Sequence, residues 1–232
     1  MTPRYFETKK FEALGLDLVK PTSRQRAAVV VAHPDDETLW CGGYILTHPE
    51  FHWRIVSLCR ASDLDRAPKF RKALQQFGAE GEMADLDDEP DQTPLPTELV
   101  QEAIARLLGG HTYSLIFTHG PAGEYTRHRR HEECCQGVVE LWRSGGINTK
   151  HLWFFAYEDG GRSYLPRVRC DADRRETLTD EVWMQKQKLV TDVYGYGGDS
   201  WEARCTPREE GFWCTDSLQA AVIRAAFQEK QT

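Results

Sequence analysis

The chain has 232 residues, a length that suits one domain with a sizeable core, and its formal charge of −7 opposes a non-specific nucleic-acid footprint. No apolar run reaches the roughly 18 residues of a membrane span. Met1 to Glu7 also lacks the apolar centre of an export signal, so a cytoplasmic location without nucleic-acid partners is expected. Seven cysteines without repeated spacing read as reduced thiols and buried filler.

Residues 1–26 are polar and irregular and read as an N-terminal arm. Ala27 to Ala32 is a short apolar run rich in valine, too short for a helix, and reads as a buried strand. It stops at His33-Pro34-Asp35-Asp36-Glu37, where Pro34 cannot continue a central ladder. Glu37 to Leu46 reads as a helix, with Asp36 and Glu37 at the positive end of its dipole. Trp53–Cys59 is the next strand, Arg60–Pro68 a linker, and Lys69–Phe77 a helix closed by Gly78. Glu80–Leu86 is a weaker strand running into the acidic loop that holds Asp87 and Asp88. Thr97 can cap a helix with apolar Leu99, Val100, Ile104, Leu107 and Leu108, and Tyr113–Thr118 follows as a strand. Strands alternating with helices predict an α/β fold, a mostly parallel sheet with right-handed crossovers and helices on both faces.

A second polar loop, His119 to Glu133, leaves the carboxyl end of that strand, and a helix is expected over Cys134–Trp142. His151–Tyr157 reads as a further strand and 158–175 as a charged rim. A helix opens at Thr179-Asp180-Glu181 and ends near Gly195, and Thr215-Asp216 caps a last helix to about Gln228. No repeat or low-complexity linker divides the chain, so one domain is expected: arm 1–26, core 27–157 with both polar loops, and C-terminal rim and helices 158–232.

A histidine beside three carboxylates at the end of a buried strand is where open α/β sheets place ligands. His33 and Asp36 lie three apart across a turn, and a nitrogen with a carboxylate oxygen is a usual partial shell for catalytic zinc. Zinc then needs a third protein ligand and an open position, and Asp35 is left free to face water. The second loop offers His128 and His131, on one face at i, i+3.

His33-Pro34-Asp35-Asp36-Glu37, Gly42-Gly43, and Gly123-Glu124-Tyr125 followed by His128-x-x-His131 together resemble the PIG-L/LmbE-like zinc-dependent N-deacetylases. The resemblance covers roughly Ala28 to Tyr157. It implies a Rossmann-like single domain, one zinc ion, and removal of an acetyl group from an N-acetylated amino sugar, an N-acetylglucosaminyl conjugate. By motif, His33, Asp36 and His131 would bind zinc, Asp35 would be the general base, and His128 would assist the tetrahedral intermediate, as an imidazolium steadying the oxyanion. Glu37 and Glu124 would support these groups from behind. Thr126-Arg127 and Arg66-Ala67-Pro68-Lys69 depart from the family pattern, and these departures bear on the substrate more than on the chemistry. Arg66, with Asp87 or Asp88, is expected to hold sugar hydroxyls or an anionic aglycone. Two other readings are an amidase acting on another N-acyl conjugate and a non-catalytic metal-binding protein. A spare carboxylate at Asp35 favours catalysis, and a homo-oligomer is compatible with the sequence.

Overall fold

Arg26–Val31 forms β1, and every residue after Arg26 in it is buried, so it lies at the centre of a sheet with both faces covered. The structure, a computed structural model, describes residues 24–216. The elements in order are β1, α1 (Asp36–Thr47), β2 (His52–Cys59), α2 (Arg66–Phe77), β3 (Glu80–Leu86), α3 (Thr97–Leu108), β4 (Thr112–Thr118), α4 (Arg129–Ser144) and β5 (Asn148–Phe155). There follow β6 (Tyr157–Glu158), β7 (Arg167–Val168), β8 (Arg174–Thr177), α5 (Asp180–Lys188), a π-helical turn at Leu189–Val193, α6 (Trp201–Cys205) and β9 (Glu209–Thr215).

The main sheet has the strand order β3-β2-β1-β4-β5-β9-β8. Its first five strands pair in parallel, while β9 runs antiparallel to β5 and to β8, giving the mostly parallel α/β sheet the sequence predicts. The alternation within β1 splits the core in two. Ala28 and Val30 pack with α3 and α4 residues such as Ile104 and Val138. Val29 and Val31 pack on the other face with Trp40, Tyr44 and Phe70 of α1 and α2. The chain leaves β1 towards β2 on one side and later returns as β4 on the other. The crevice between β1 and β4 is therefore the switch point of the sheet, open at the carboxyl ends of its strands.

Gly43 of the Gly42-Gly43 pair has a structural explanation. Helix α1 breaks at Cys41, whose φ/ψ of −145/16 is not helical. The freed N–H groups of Gly43 and Tyr44 donate to the two carboxylate oxygens of Glu210 at 2.8 and 2.7 Å. A Cβ on Gly43 would fall 2.4 Å from a Leu178 methyl, so only glycine lets the segment between β8 and α5 come this close. Lys186 of α5 completes the joint, its Nζ 2.7 Å from Glu210, with both side chains fully buried.

Several boundaries differ from the sequence reading. Helix α2 begins at Arg66, because Pro68 sits in the first turn where it sacrifices no hydrogen bond. Helix α4 begins at Arg129, which makes His128 its N-cap and places His131 in its first turn. The charged rim contains β7 and parts of β6 and β8, and β9 inserts between β5 and β8 in a stretch to which the sequence reading gives no element. Thr215 is the last residue of β9. The expected last helix lies outside the described residues beyond 216, and all but the end of the expected arm lies outside them before 24. Among the described residues no helix is long and apolar enough to cross a membrane.

Removing one member of a buried ion pair leaves an uncompensated charge that costs about 3–5 kcal/mol. Lys186→Met should destabilise the fold by that order, read as a lowered denaturant midpoint at unchanged m-value.

Candidate metal centre

Val30 pairs with Thr118, so the loops that carry His33 and His119 leave adjacent strands side by side. Ala32 N–H donates to His119 Nε2 at 2.9 Å and ties the two strand ends together. The His119 ring then donates from Nδ1 to Glu124 at 2.8 Å. Glu124 also takes the Nδ1 proton of His131 at 2.6 Å, and the two imidazoles stack with centroids 3.9 Å apart. Both nitrogens of His119 are thus engaged, while His131 is held as the tautomer with a free Nε2 lone pair.

That lone pair meets two other donors. His131 Nε2 lies 3.2 Å from His33 Nδ1 and 3.4 Å from Asp36 Oδ2, and the last two are 3.2 Å apart. Around a tetrahedral zinc with bonds of about 2.0–2.1 Å, donor atoms sit about 3.3–3.4 Å apart. The three sequence-expected ligands therefore form one face of a zinc-sized tetrahedron. The second oxygen of Asp36 accepts from the Trp40 indole at 3.0 Å, which fixes the carboxylate. His33 Nε2 bonds Asp88 at 3.1 Å, so His33 is backed by a carboxylate just as His131 is.

Other donor groupings overlap this one. His128 gathers with His33 and His131, His119 with Asp36 and His131, and Cys59 with His33 and Asp88. His119 has no lone pair to spare. Burial pushes the Cys59 thiol up, and the Asp88 carboxylate is also held by Arg60 at 2.7 Å, which disfavours a cation there.

Burial and opposing charges set the protonation states. Burial works against the charge of Asp36, but the facing His131, His119 and His33 outweigh it and hold the carboxyl well below the usual range. Glu124, also opposed by burial, is held down at about 2 by His119 and His131. His33 is buried too, yet Asp36 and Asp88 raise it to about 10, so it is an imidazolium while no metal is bound. His128 is pushed down to about 3 by burial, then by His131 and His33. That corrects the expectation of an imidazolium at His128: the ring is neutral at pH 7, with the Gln92 amide nitrogen 3.1 Å from its Nε2.

Asp35 is the N-cap of α1 and has φ 119, a left-handed value that strains any residue but glycine. Its N–H donates to Glu37 at 3.1 Å, and Glu37 is itself held by Thr38 at 2.6 Å and Tyr194 at 2.7 Å. Glu37 thus acts on the backbone of Asp35. The Asp35 carboxylate accepts from Arg66 at 3.2 Å and from the Tyr196 hydroxyl, while Arg66 also reaches Tyr196. Burial and then the Asp36 charge push Asp35 up to about 8, against the pull of Tyr196 and Arg66.

His33, Asp35, Asp36, Arg66 and His128 line a cavity of about 450 Å³ whose walls also include Arg60, Asp63, Asp88, Tyr125, Trp201 and Glu202. Asp88 reaches it from behind His33. Asp87 does not line it: its carboxylate and carbonyl are taken by the buried Arg130 at 3.2 and 2.6 Å, which pins the acidic loop to α4. Sequence reasoning assigned no role to His119, Gln92, Arg60, Tyr196, Trp201 or Glu202. His119 had a signal, because it follows its strand directly as His33 follows β1. The other five are set by tertiary packing.

Zinc can bind only if His33 gives up the proton that its two carboxylates hold up to about pH 10. Zinc affinity should therefore rise with pH across the neutral range, with net proton release on binding, measured by calorimetry in buffers of different ionisation enthalpy. Glu124→Gln should lower zinc affinity about 10–100-fold by freeing the His131 tautomer.

The family model described as PIG-L, GlcNAc-PI de-N-acetylase, matches residues 28–142. No curated protein matches the chain. Among solved structures, the N,N′-diacetylchitobiose deacetylase of Pyrococcus horikoshii is 15% identical with a TM-score of 0.60, covering 90% of this chain and 91% of its own. The zinc-inhibited form of the teicoplanin deacetylase Orf2 is 12% identical with a TM-score of 0.58, covering 83% and 98%. The 4-carboxy-2-hydroxymuconate hydratase GalB of Pseudomonas putida is 15% identical with a TM-score of 0.54, covering 82% and 96%. At such identities the likeness speaks for the fold, which is shared by proteins named for different reactions. Both His33-Pro34-Asp35-Asp36-Glu37 and His128-x-x-His131 fall inside the matched segment, and over residues 28–142 this chain belongs to the PIG-L family of de-N-acetylases.

Proposed function

We propose that the protein is a zinc-dependent hydrolase that removes the acetyl group from an N-acetylated amino sugar. The observation that carries this reading is the triangle of donor atoms from His33, Asp36 and His131, spaced for one zinc ion, with the carboxylate of Asp35 beside it. Family membership supplies the reaction class, de-N-acetylation.

His33, Asp36 and His131 hold the ion, which when bound supplies Lewis acidity towards a carbonyl and an acidified water. Asp35 accepts the proton of the attacking water. A dication among the neighbouring ligands favours the carboxylate form of Asp35 that this role needs. Once protonated, Asp35 sits in a dry, acid-rich wall that keeps it a competent donor to the departing amine nitrogen. His128 is neutral, so it serves the oxyanion as a hydrogen-bond donor rather than as a charge. Arg66 and Tyr196 hold the Asp35 carboxylate in position, and Glu37 holds its backbone.

The test is acetate release from N-acetylglucosaminides by enzyme loaded with zinc from below to above one equivalent, since a structural neighbour is known in a zinc-inhibited form. Asp35→Asn should keep zinc and lose about 10²–10⁴-fold in kcat. His131→Ala should lose the metal by elemental analysis, whereas His128→Ala should retain it. His128→Ala should also lower kcat without changing the shape of the pH–rate profile, because the ring does not titrate near neutrality. Zinc retained in His131→Ala, or undiminished kcat in Asp35→Asn, would overturn the reading.

A further inference from the structure

The charges around the cavity speak to what enters it. Five carboxylates line it, those of Asp35, Asp36, Asp63, Asp88 and Glu202, against the guanidiniums of Arg60 and Arg66. A bound dication leaves that wall negative. Neither arginine is free for an anionic substrate. Arg66 is committed to Asp35 and Tyr196. Arg60 makes two bonds to Asp88, at 3.0 and 2.7 Å, and lies 3.7 Å from Asp63. The expectation that Arg66 holds an anionic aglycone therefore meets a guanidinium already neutralised.

Glu202 differs from the other carboxylates. It lies in the first turn of α6 and is half-buried, and among the described residues its carboxylate has no ion pair and no hydrogen bond. Next to it, Trp201 is 38% exposed, which is unusual for a large aromatic residue in a wall of this fold. Its ring packs edge to face on Tyr125 with centroids 4.9 Å apart, and Tyr125 packs in turn on His131 at 5.3 Å. Trp201 and Glu202 are thus two ring contacts from the donor triangle, close enough to touch a unit next to the reacting acetamide. An open indole face suits the apolar face of a pyranose or a cation, and a partnerless carboxylate suits an ammonium.

We infer that the substrate is a cationic amino-sugar conjugate, with a ring bearing a free ammonium seated on Trp201 and paired with Glu202 beside the N-acetylated unit. This rests on the deacetylase reading above. Selection is by charge: an ammonium gains Glu202 without displacing any existing pair, whereas a phosphate faces an acidic wall with both guanidiniums engaged.

Two arms test it. In the kinetic arm, zinc-loaded enzyme is given a disaccharide of N-acetylglucosamine and glucosamine, the diacetylated disaccharide, and N-acetylglucosamine 1-phosphate. The ammonium-bearing substrate should have the highest kcat/KM, about three- to tenfold above the neutral one, through KM. The phosphate should be the poorest. Glu202→Gln should abolish the preference, and Trp201→Ala should raise KM for both disaccharides, with Trp201→Phe restoring most of it. Rising salt should erode the preference as it screens the partly exposed pair. Equal or better use of the phosphate, or a preference that survives Glu202→Gln, would overturn the inference while leaving the deacetylase reading intact. In the binding arm, calorimetry with glucosamine and glucose 6-phosphate needs no turnover. Glucosamine should bind the wild type and be weakened by Glu202→Gln, and glucose 6-phosphate should not bind. Failure to hydrolyse any N-acetylated sugar would instead refute the deacetylase reading. Absent or Glu202-independent binding of glucosamine would refute the charge selection.

Discussion

The parallel pairing of β1 with β4 is the constraint on which the site depends. These strands are consecutive neighbours in the sheet but far apart in the chain, and their register brings the two polar loops out side by side. The bond from Ala32 N–H to His119 Nε2 locks that register at its last step. From there a single carboxylate does the rest of the alignment. Glu124 takes a proton from each of two stacked histidines, and its other oxygen accepts Gly120 N–H at 2.8 Å. Slide β4 by one residue and His119 would turn to the opposite face, taking Glu124 and His131 away from His33 and Asp36.

The centre is dense in buried charge that would be costly anywhere else in the fold. Asp36, Glu37, Glu124 and His131 are all buried, and each is matched by a partner of opposite sign or by donors. Asp35 is the exception in kind. Its backbone is strained, its carboxyl is pushed towards neutrality, its N–H donates to Glu37, and its carboxylate accepts from Arg66 of α2 and from Tyr196 of the distant loop before α6. Strain that several elements must jointly maintain belongs where position matters more than stability. The same convergence explains why Asp35, rather than the better-matched Asp36, is the carboxylate left to handle protons.

What the sequence reveals follows the range of the forces involved. Local signals reveal β1 to β5, the helices between them, and the two loops, because apolar period, glycine caps and prolines act within a few residues. Short spacing at strand ends also points to His33, Asp35 and Asp36 and to the pair His128 and His131, while the choice of His131 as the ligand comes from the family resemblance. The Lys186–Glu210 pair, the antiparallel pairing of β9 with β5, and the reach of Tyr194 to Glu37 span from 24 to 157 residues of chain. No local pattern encodes them. Asp88 shows the middle case: the sequence places it near the site but not its partner, and packing turns it from a guessed sugar contact into the carboxylate behind His33.

Chemistry and selectivity are carried by different parts of the chain. The family model matches residues 28–142, which hold the donor triangle and its supporting carboxylates. Tyr196, Trp201 and Glu202, which position Asp35 and form the outer wall, all lie beyond that segment, in the stretch between α5 and β9. That stretch is held by Tyr194 on Glu37, by Tyr196 on Asp35 and Arg66, and by the Ser200 side chain accepting Ala203 N–H at the start of α6. Gly195, Gly197 and Gly198 lie between those anchors, and a Cβ on Gly197 or Gly198 would meet nothing within 4 Å. At Trp201 and Glu202, which bond to neither the sheet nor the donors, such a wall can change its residues without disturbing them. The reaction class therefore goes with the matched segment, which also carries most of the cavity's charges, while Trp201 and the unpaired Glu202 are added to the wall from outside it.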